Sequence, residues 1–135
     1  MEENCDGLVI LCNGEIKYVL LIELKTTLFG PTIEKIKSQF QGTLRCFLKI
    51  YQDLNLNNIE KKGIAIVVFR RFRLDKFYSS QRTQNMIKSV NNFIKNNYIE
   101  LRVDNKNIRI KLYKKQITEE TAEISIDEIL HSFEK

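Results

Sequence analysis

Apolar positions near the start of the chain fall in two blocks, Leu8-Val9-Ile10-Leu11 and Val19-Leu20-Leu21-Ile22, with Asn13-Gly14 between them. Their short length and β-branched content predict strands at 5–12 and 16–25. Asn-Gly favours a two-residue type I′ turn, which needs positive φ at both central positions. Residues 5–25 therefore predict an antiparallel hairpin.

Downstream the period changes. Ile33, Ile36, Phe40, Leu44, Phe47, Leu48 and Tyr51 recur at gaps of three and four and draw one apolar stripe. A helix is expected over 32–54, with Thr32 as N-cap or Pro31 in its first turn, ending before an Asn-rich turn at 55–58. The run at 63–69 reads as a strand covered on both faces. A helix between two strands suits a crossover connection. Ser79 or Ser80 is placed to cap a second helix reaching about Asn96. "YIELRV" and "NIRIKLY" flank Asp104-Asn105-Lys106 and predict a second hairpin over 98–113. A short helix closes the chain, with Ser125 and Glu128 spaced for a capping box. The expected class is α/β (α+β), a mixed sheet flanked by helices, in one domain spanning 1–135.

Composition narrows the function classes. The 22 Lys and Arg against 17 Asp and Glu give a net charge of +5, compatible with a polyanionic partner. Cys5, Cys12 and Cys46 lack zinc or disulfide spacing and read as inert thiols in a reducing cytoplasm. The polar start is not a signal peptide, and no apolar run is long enough to span a membrane. Phosphate-binding Gly-rich loops and Gly-x-Ser-x-Gly elbows are absent. His131 is the only histidine, which leaves little room for a Ser-His or Cys-His pair.

Charges inside the second strand carry the chemistry. Counted across a two-residue loop, facing residue numbers sum to 27, so Asp6 faces Leu21. Asp6, Leu21, Glu23 and Lys25 then share a face, with Asp6 and Glu23 diagonal neighbours roughly 7–8 Å apart. Two converging carboxylates repel unless a cation sits with them. Mg²⁺ or Mn²⁺ suits such oxygen ligands. Lys25 beside it could polarise water or stabilise phosphate charge. The alternative is an ordinary ion pair at a strand end.

The order Cys5-Asp6-Gly7, hairpin, Glu23-Leu24-Lys25, helix, buried strand resembles the PD-(D/E)XK nuclease superfamily, the restriction-endonuclease-like fold that includes Holliday-junction resolvases and repair and phage-defence nucleases. The resemblance spans roughly residues 5–70 and implies a Mg²⁺-dependent phosphodiester hydrolase, with DNA as the expected partner. It implies Asp6, Glu23 and the Leu24 carbonyl as metal ligands and Lys25 as the residue acting on water or phosphate. Some branches carry a helix Gln near the site; Gln39 is the better match here and Gln41 the other candidate. The Gln-x-x-x-Tyr form is absent, Thr43 standing four residues beyond Gln39. Family members place a helix and a strand before the Asp-bearing strand, and the helix often adds a Glu. Only five residues precede Asp6 here. The chain then reads as a minimal or permuted version, or as one completed by its C-terminal half or a second subunit, with Glu2 or Glu3 as a further carboxylate. A homodimer or partner subunit is accordingly among the expected partners, and a catalytically inactive nucleic-acid-binding or assembly module is the alternative function.

Basic residues suggest where nucleic acid would lie. Arg70, Arg71 and Arg73 close the 63–69 strand, and Lys111 belongs to a second basic run with Lys106, Arg109, Lys114 and Lys115. Phosphate contact and a plain solvated face are both open for these runs.

Overall fold

The structure is a computed structural model and describes residues 4–72 and 81–134. Its elements are β1 (Gly7–Asn13), β2 (Glu15–Leu28), α1 (Gly30–Ile50), α2 (Leu56–Lys62), β3 (Gly63–Phe72), α3 (Gln81–Lys95), β4 (Tyr98–Val103), β5 (Lys106–Gln116) and α4 (Ile126–His131). The five strands form one mixed sheet in the order β1-β2-β3-β5-β4. β2, β3 and β5 run parallel, and β1 and β4 flank them antiparallel. The expected α/β class with a mixed, helix-flanked sheet is what forms.

Each sheet face has its own core, because β2 and β3 each alternate two sets of apolar side chains. Val19, Leu21, Ala65, Val67 and Leu112 pack under Ile33, Ile36, Phe40, Leu44 and Phe47 of α1, together with α2 and α3. Leu20, Ile64, Ile66 and Val68 face the other way, toward Ile129 of α4 and the segment leading to it. The helical face holds the larger core, so α1 is held mainly by its buried stripe rather than by capping. Phe29 is its N-cap and supplies no side-chain bond; Pro31 occupies the first turn, so Thr32 is inside the helix.

The hairpin departs from its expected geometry in two places. Asn13 already faces Glu15, so only Gly14, at φ 81°, lies between the paired strands. Asn13 has no positive φ, and the anticipated type I′ turn at Asn13-Gly14 does not form. Paired positive φ values occur instead at Asp104 (51°) and Asn105 (65°), in the β4–β5 hairpin. A bulge follows: Leu11 faces Tyr18 while Cys12 faces Ile16, leaving Lys17 as an extra residue on β2. Beyond it Gly7 faces Ile22 and Leu8 faces Leu21. The register is displaced by two residues from the expected one, and an even displacement keeps every side chain on its anticipated face.

The long helix ends earlier than expected, and a further helix follows it. α1 stops at Ile50, and residues 55–58, expected as a turn, begin a separate helix. Asn55 and Asn58 cap it reciprocally: each side chain accepts the other's backbone N–H, at 2.9 and 3.0 Å. β3 and β5 run three residues past the expected ends, to Phe72 and Gln116. At α4 Ser125 accepts the Glu128 N–H at 3.1 Å, which is half of the anticipated box. The Glu128 carboxylate takes the Tyr113 hydroxyl and the Lys115 ammonium instead, tying α4 to β5. Arg73, Ser79, Ser80, Glu2 and Glu3 lie outside the described residues.

Candidate metal and catalytic site

Asp6, Glu23 and Lys25 come together. Asp6 stands just before β1, and the ladder carried one step past Gly7 and Ile22 sets it level with Glu23, not diagonal to it. Asp6 Oδ2 accepts the Leu24 N–H at 2.8 Å. An extended residue points its N–H and C=O toward the same neighbouring strand. The Leu24 carbonyl therefore faces the Asp6 side too, where the β1 ladder has ended. The Leu24 side chain points to the other face and is 58% exposed.

Glu23 is the unusual member. It is 0% exposed among Val67 and the apolar residues beneath α1, and neither carboxylate oxygen has a hydrogen-bond partner. Lys25 Nζ lies 3.5 Å from its Oε2. Burial, and after it the adjoining Asp6 carboxyl, raises the Glu23 pKa to about 7. Asp6 moves the opposite way, below its ordinary value, chiefly because a protonated Glu23 can donate to it. Below pH 7 the two acids therefore share one proton, as close carboxyl pairs do, and above it Glu23 ionises as well.

Gln39 supplies a third orphan. Its Oε1 is buried without a partner. The chain makes one crossover from β2 through α1 to β3, so α1 runs back over the strand it follows. Five residues of strand separate Glu23 from the end of β2, ~16 Å. Nine residues of helix separate the start of α1 from Gln39, ~14 Å, which sets Gln39 at about the height of Glu23. Gln41 is engaged elsewhere, its Oε1 accepting the Arg102 N–H of β4 at 2.9 Å. Of the two candidates, Gln39 is the one on the acidic side.

Thr43 is the residue sequence reasoning passed over. Its Oγ1 accepts the Cys5 N–H at 2.8 Å, tethering the chain one residue before Asp6 to α1. Gln39 and Thr43 are four residues apart and share a helix face. Two polar residues at that spacing, on the buried side of an otherwise apolar stripe, were the available signal.

The basic residues divide between faces. Arg71 faces Thr27, two positions beyond the Lys25–Phe69 pair, so it lies on the face of Glu23 and Lys25. Arg70 is on the opposite face, beside an apolar cleft of about 730 Å³ bounded by β1, β2, β3 and the segment before α4. Lys111 is on that opposite face as well, with Nζ 5.5 Å from the centre of the Phe133 ring. The structure does not bring Arg70 or Lys111 to the acidic cluster. His131 pairs with Glu134 at 3.3 Å on the surface, and the three cysteines are free thiols.

The donor set fits a hard cation: two carboxylates and a backbone carbonyl, all oxygen, with Lys25 the one cation set against the pair. Among the described residues no three His, Cys, Asp or Glu side chains converge, so the carboxylate set stops at Asp6 and Glu23. No helix of the described residues is long and apolar enough to cross a membrane. No family model, curated protein or solved structure matches the chain.

Proposed function

We propose that the protein is a Mg²⁺- or Mn²⁺-dependent nuclease of the PD-(D/E)XK type, hydrolysing phosphodiester bonds, with DNA as the substrate. The observation that carries this reading is the Glu23 carboxylate, wholly buried, without a hydrogen bond and set beside Asp6 and Lys25. A fold with only structural demands gains by replacing such a group with an apolar one. Retaining it has a use if a cation and substrate engage it.

In this reading Asp6, Glu23 and the Leu24 carbonyl hold the cation, which when bound neutralises phosphate charge and lowers the pKa of an attacking water. Asp6 is positioned by the Leu24 N–H and by the Cys5–Thr43 tether. Lys25, with its side chain 19% exposed, reaches from the acidic pair toward solvent and stabilises charge on the scissile phosphate. Gln39 offers an amide to orient water or substrate. Arg71 contacts the nucleic-acid backbone on the same face.

One observation favours a second reading, a non-catalytic nuclease-fold module that binds nucleic acid or assembles with a partner. Glu23 has no solvent access. Mn²⁺ titration followed by calorimetry separates the two. The nuclease reading expects one site, lost in Asp6→Asn and Glu23→Gln, and cleavage of DNA that Lys25→Met abolishes with the circular-dichroism spectrum unchanged. Absence of Mn²⁺ binding by the wild-type chain sinks it.

A further inference from the structure

The two edges of the sheet are finished differently. β4 alternates buried Ile99, Leu101 and Val103 with exposed Tyr98, Glu100 and Arg102. Its Glu100 is engaged, Arg109 of β5 meeting it at 2.7 Å and stacking on Tyr98, and Gln41 occupies the Arg102 N–H. Charges and covering side chains are how sheet edges are kept from pairing. Among the described residues β1, the other edge, has neither. Its seven residues, GLVILCN, include no charge and no proline, and among the described residues it pairs only with β2. Leu8 is 38% and Val9 40% exposed, and they point to opposite faces.

We infer that β1 is a self-association edge, pairing antiparallel with β1 of a second copy of this chain to make a continuous ten-stranded sheet. The occupant follows from what the edge requires. Unpaired backbone groups need a strand, and Leu8 and Ile10 on one face with Val9 and Leu11 on the other need one that is apolar on both sides. Among the described residues β4, the only other edge strand, is charged on its outer face; β1 itself has the matching character. On a chain of net charge +5, an uncharged strand is also where two copies approach without like-charge contact.

Two-fold symmetry and the fullest overlap of the two strands together fix the register. Identical antiparallel strands related by a closed two-fold must have one residue facing itself, and the middle of β1 is Ile10. Leu8 then faces Cys12 of the second copy, and Val9 faces Leu11. Both copies keep the Glu23 face on the same side of the joint sheet. The two Asp6 residues are eight strand positions apart, ~27 Å, and the two β2 strands three spacings apart, ~14 Å, so the acidic clusters lie about 30 Å from each other. The pairing is independent of what those clusters do.

Sedimentation equilibrium of the full chain tests it. Wild type is expected as a dimer at micromolar concentration. Val9→Lys, which brings like charges to the edge, is expected at half that mass with an unchanged circular-dichroism spectrum. A wild type that stays monomeric to hundreds of micromolar, or a folded Val9→Lys that stays dimeric, overturns the inference. If Val9→Lys unfolds, Leu8→Cys decides. Facing residues have Cβ atoms ~5 Å apart, so under mild oxidation Leu8→Cys should give a covalent dimer that Leu8→Cys with Cys12→Ser does not. No such cross-link refutes the pairing.

Discussion

Replacing Glu23 by glutamine should make the protein more stable while removing its proposed chemistry, and the gain should depend on pH. In the fold the Glu23 pKa is about 7, against 4.5 for the free side chain. Below 4.5 the carboxyl is neutral in folded and unfolded chains alike. Between 4.5 and 7 the unfolded chain has lost a proton that the folded chain still holds, so stability falls as pH rises. Above 7 both are ionised and the loss is complete. At about 1.4 kcal/mol per pH unit, the full loss is about 3 kcal/mol. Glutamine carries no charge to bury, and its N–H₂ can donate to Asp6. The Lys25 attraction across 3.5 Å is already contained in that pKa and is not subtracted again. The expectation is a gain of about 3 kcal/mol at pH 8, roughly 9 °C in Tm, shrinking to about 1 kcal/mol at pH 5. Asp6 does not blur the window. Its folded pKa lies below 3.8, so its contribution is constant above that and is lost only in stronger acid. Urea unfolding of both proteins at pH 5 and pH 8 reads the difference directly. A Glu23→Gln protein less stable than wild type at pH 8, or a difference that does not change with pH, would show that Glu23 is not a buried acid held at a cost.

Two further substitutions probe the scaffold around the site. Lys114 donates to the Phe93, Ile94 and Asn96 carbonyls at 2.5–2.7 Å, closing the C-terminal end of α3 from β5. Burial draws its pKa down to about 8, still charged at neutral pH, so Lys114→Met should cost about 2 kcal/mol in urea unfolding and speed amide exchange in the last turn of α3. Gly63 joins α2 to β3, and a Cβ there would sit 2.6 Å from the Ile59 carbonyl oxygen. Gly63→Ala should lower stability by about 1–3 kcal/mol in thermal melts, through overpacking rather than backbone angle.

The face assignments were legible because hydrophobic alternation is local and strong. Val19 and Leu21 alternate with Leu20 and Ile22, and that alone sets Glu23 and Lys25 on one side of the sheet. Register was not legible. It depends on how many residues the turn leaves unpaired, and Asn13-Gly14 carries the type I′ signal while Asp104-Asn105 has the paired positive φ. α2 was hidden because its capping pair, Asn55 and Asn58, looks like turn composition; only their three-residue spacing marks a helix start. Gln39 was singled out on resemblance, but its burial without a partner, and Gln41's bond to β4, depend on how α1 rolls over the sheet. Arg70 and Arg71 read as one run, and Lys111 as part of a second, because a linear run of charge does not state which face each residue takes.

The bulge at Lys17 and the turn at Gly14 each move the hairpin by an odd step, and together by an even one. Length in this hairpin therefore counts by parity. A descendant of this sequence can gain or lose two residues between Cys12 and Tyr18 and keep Asp6 beside Glu23. A change of one residue that the strands take up by slipping turns Asp6 to the far side of the sheet, toward the apolar cleft, whereas one taken up as a bulge leaves it in place. The permitted lineages of this loop differ by even numbers, or carry a second, compensating slip.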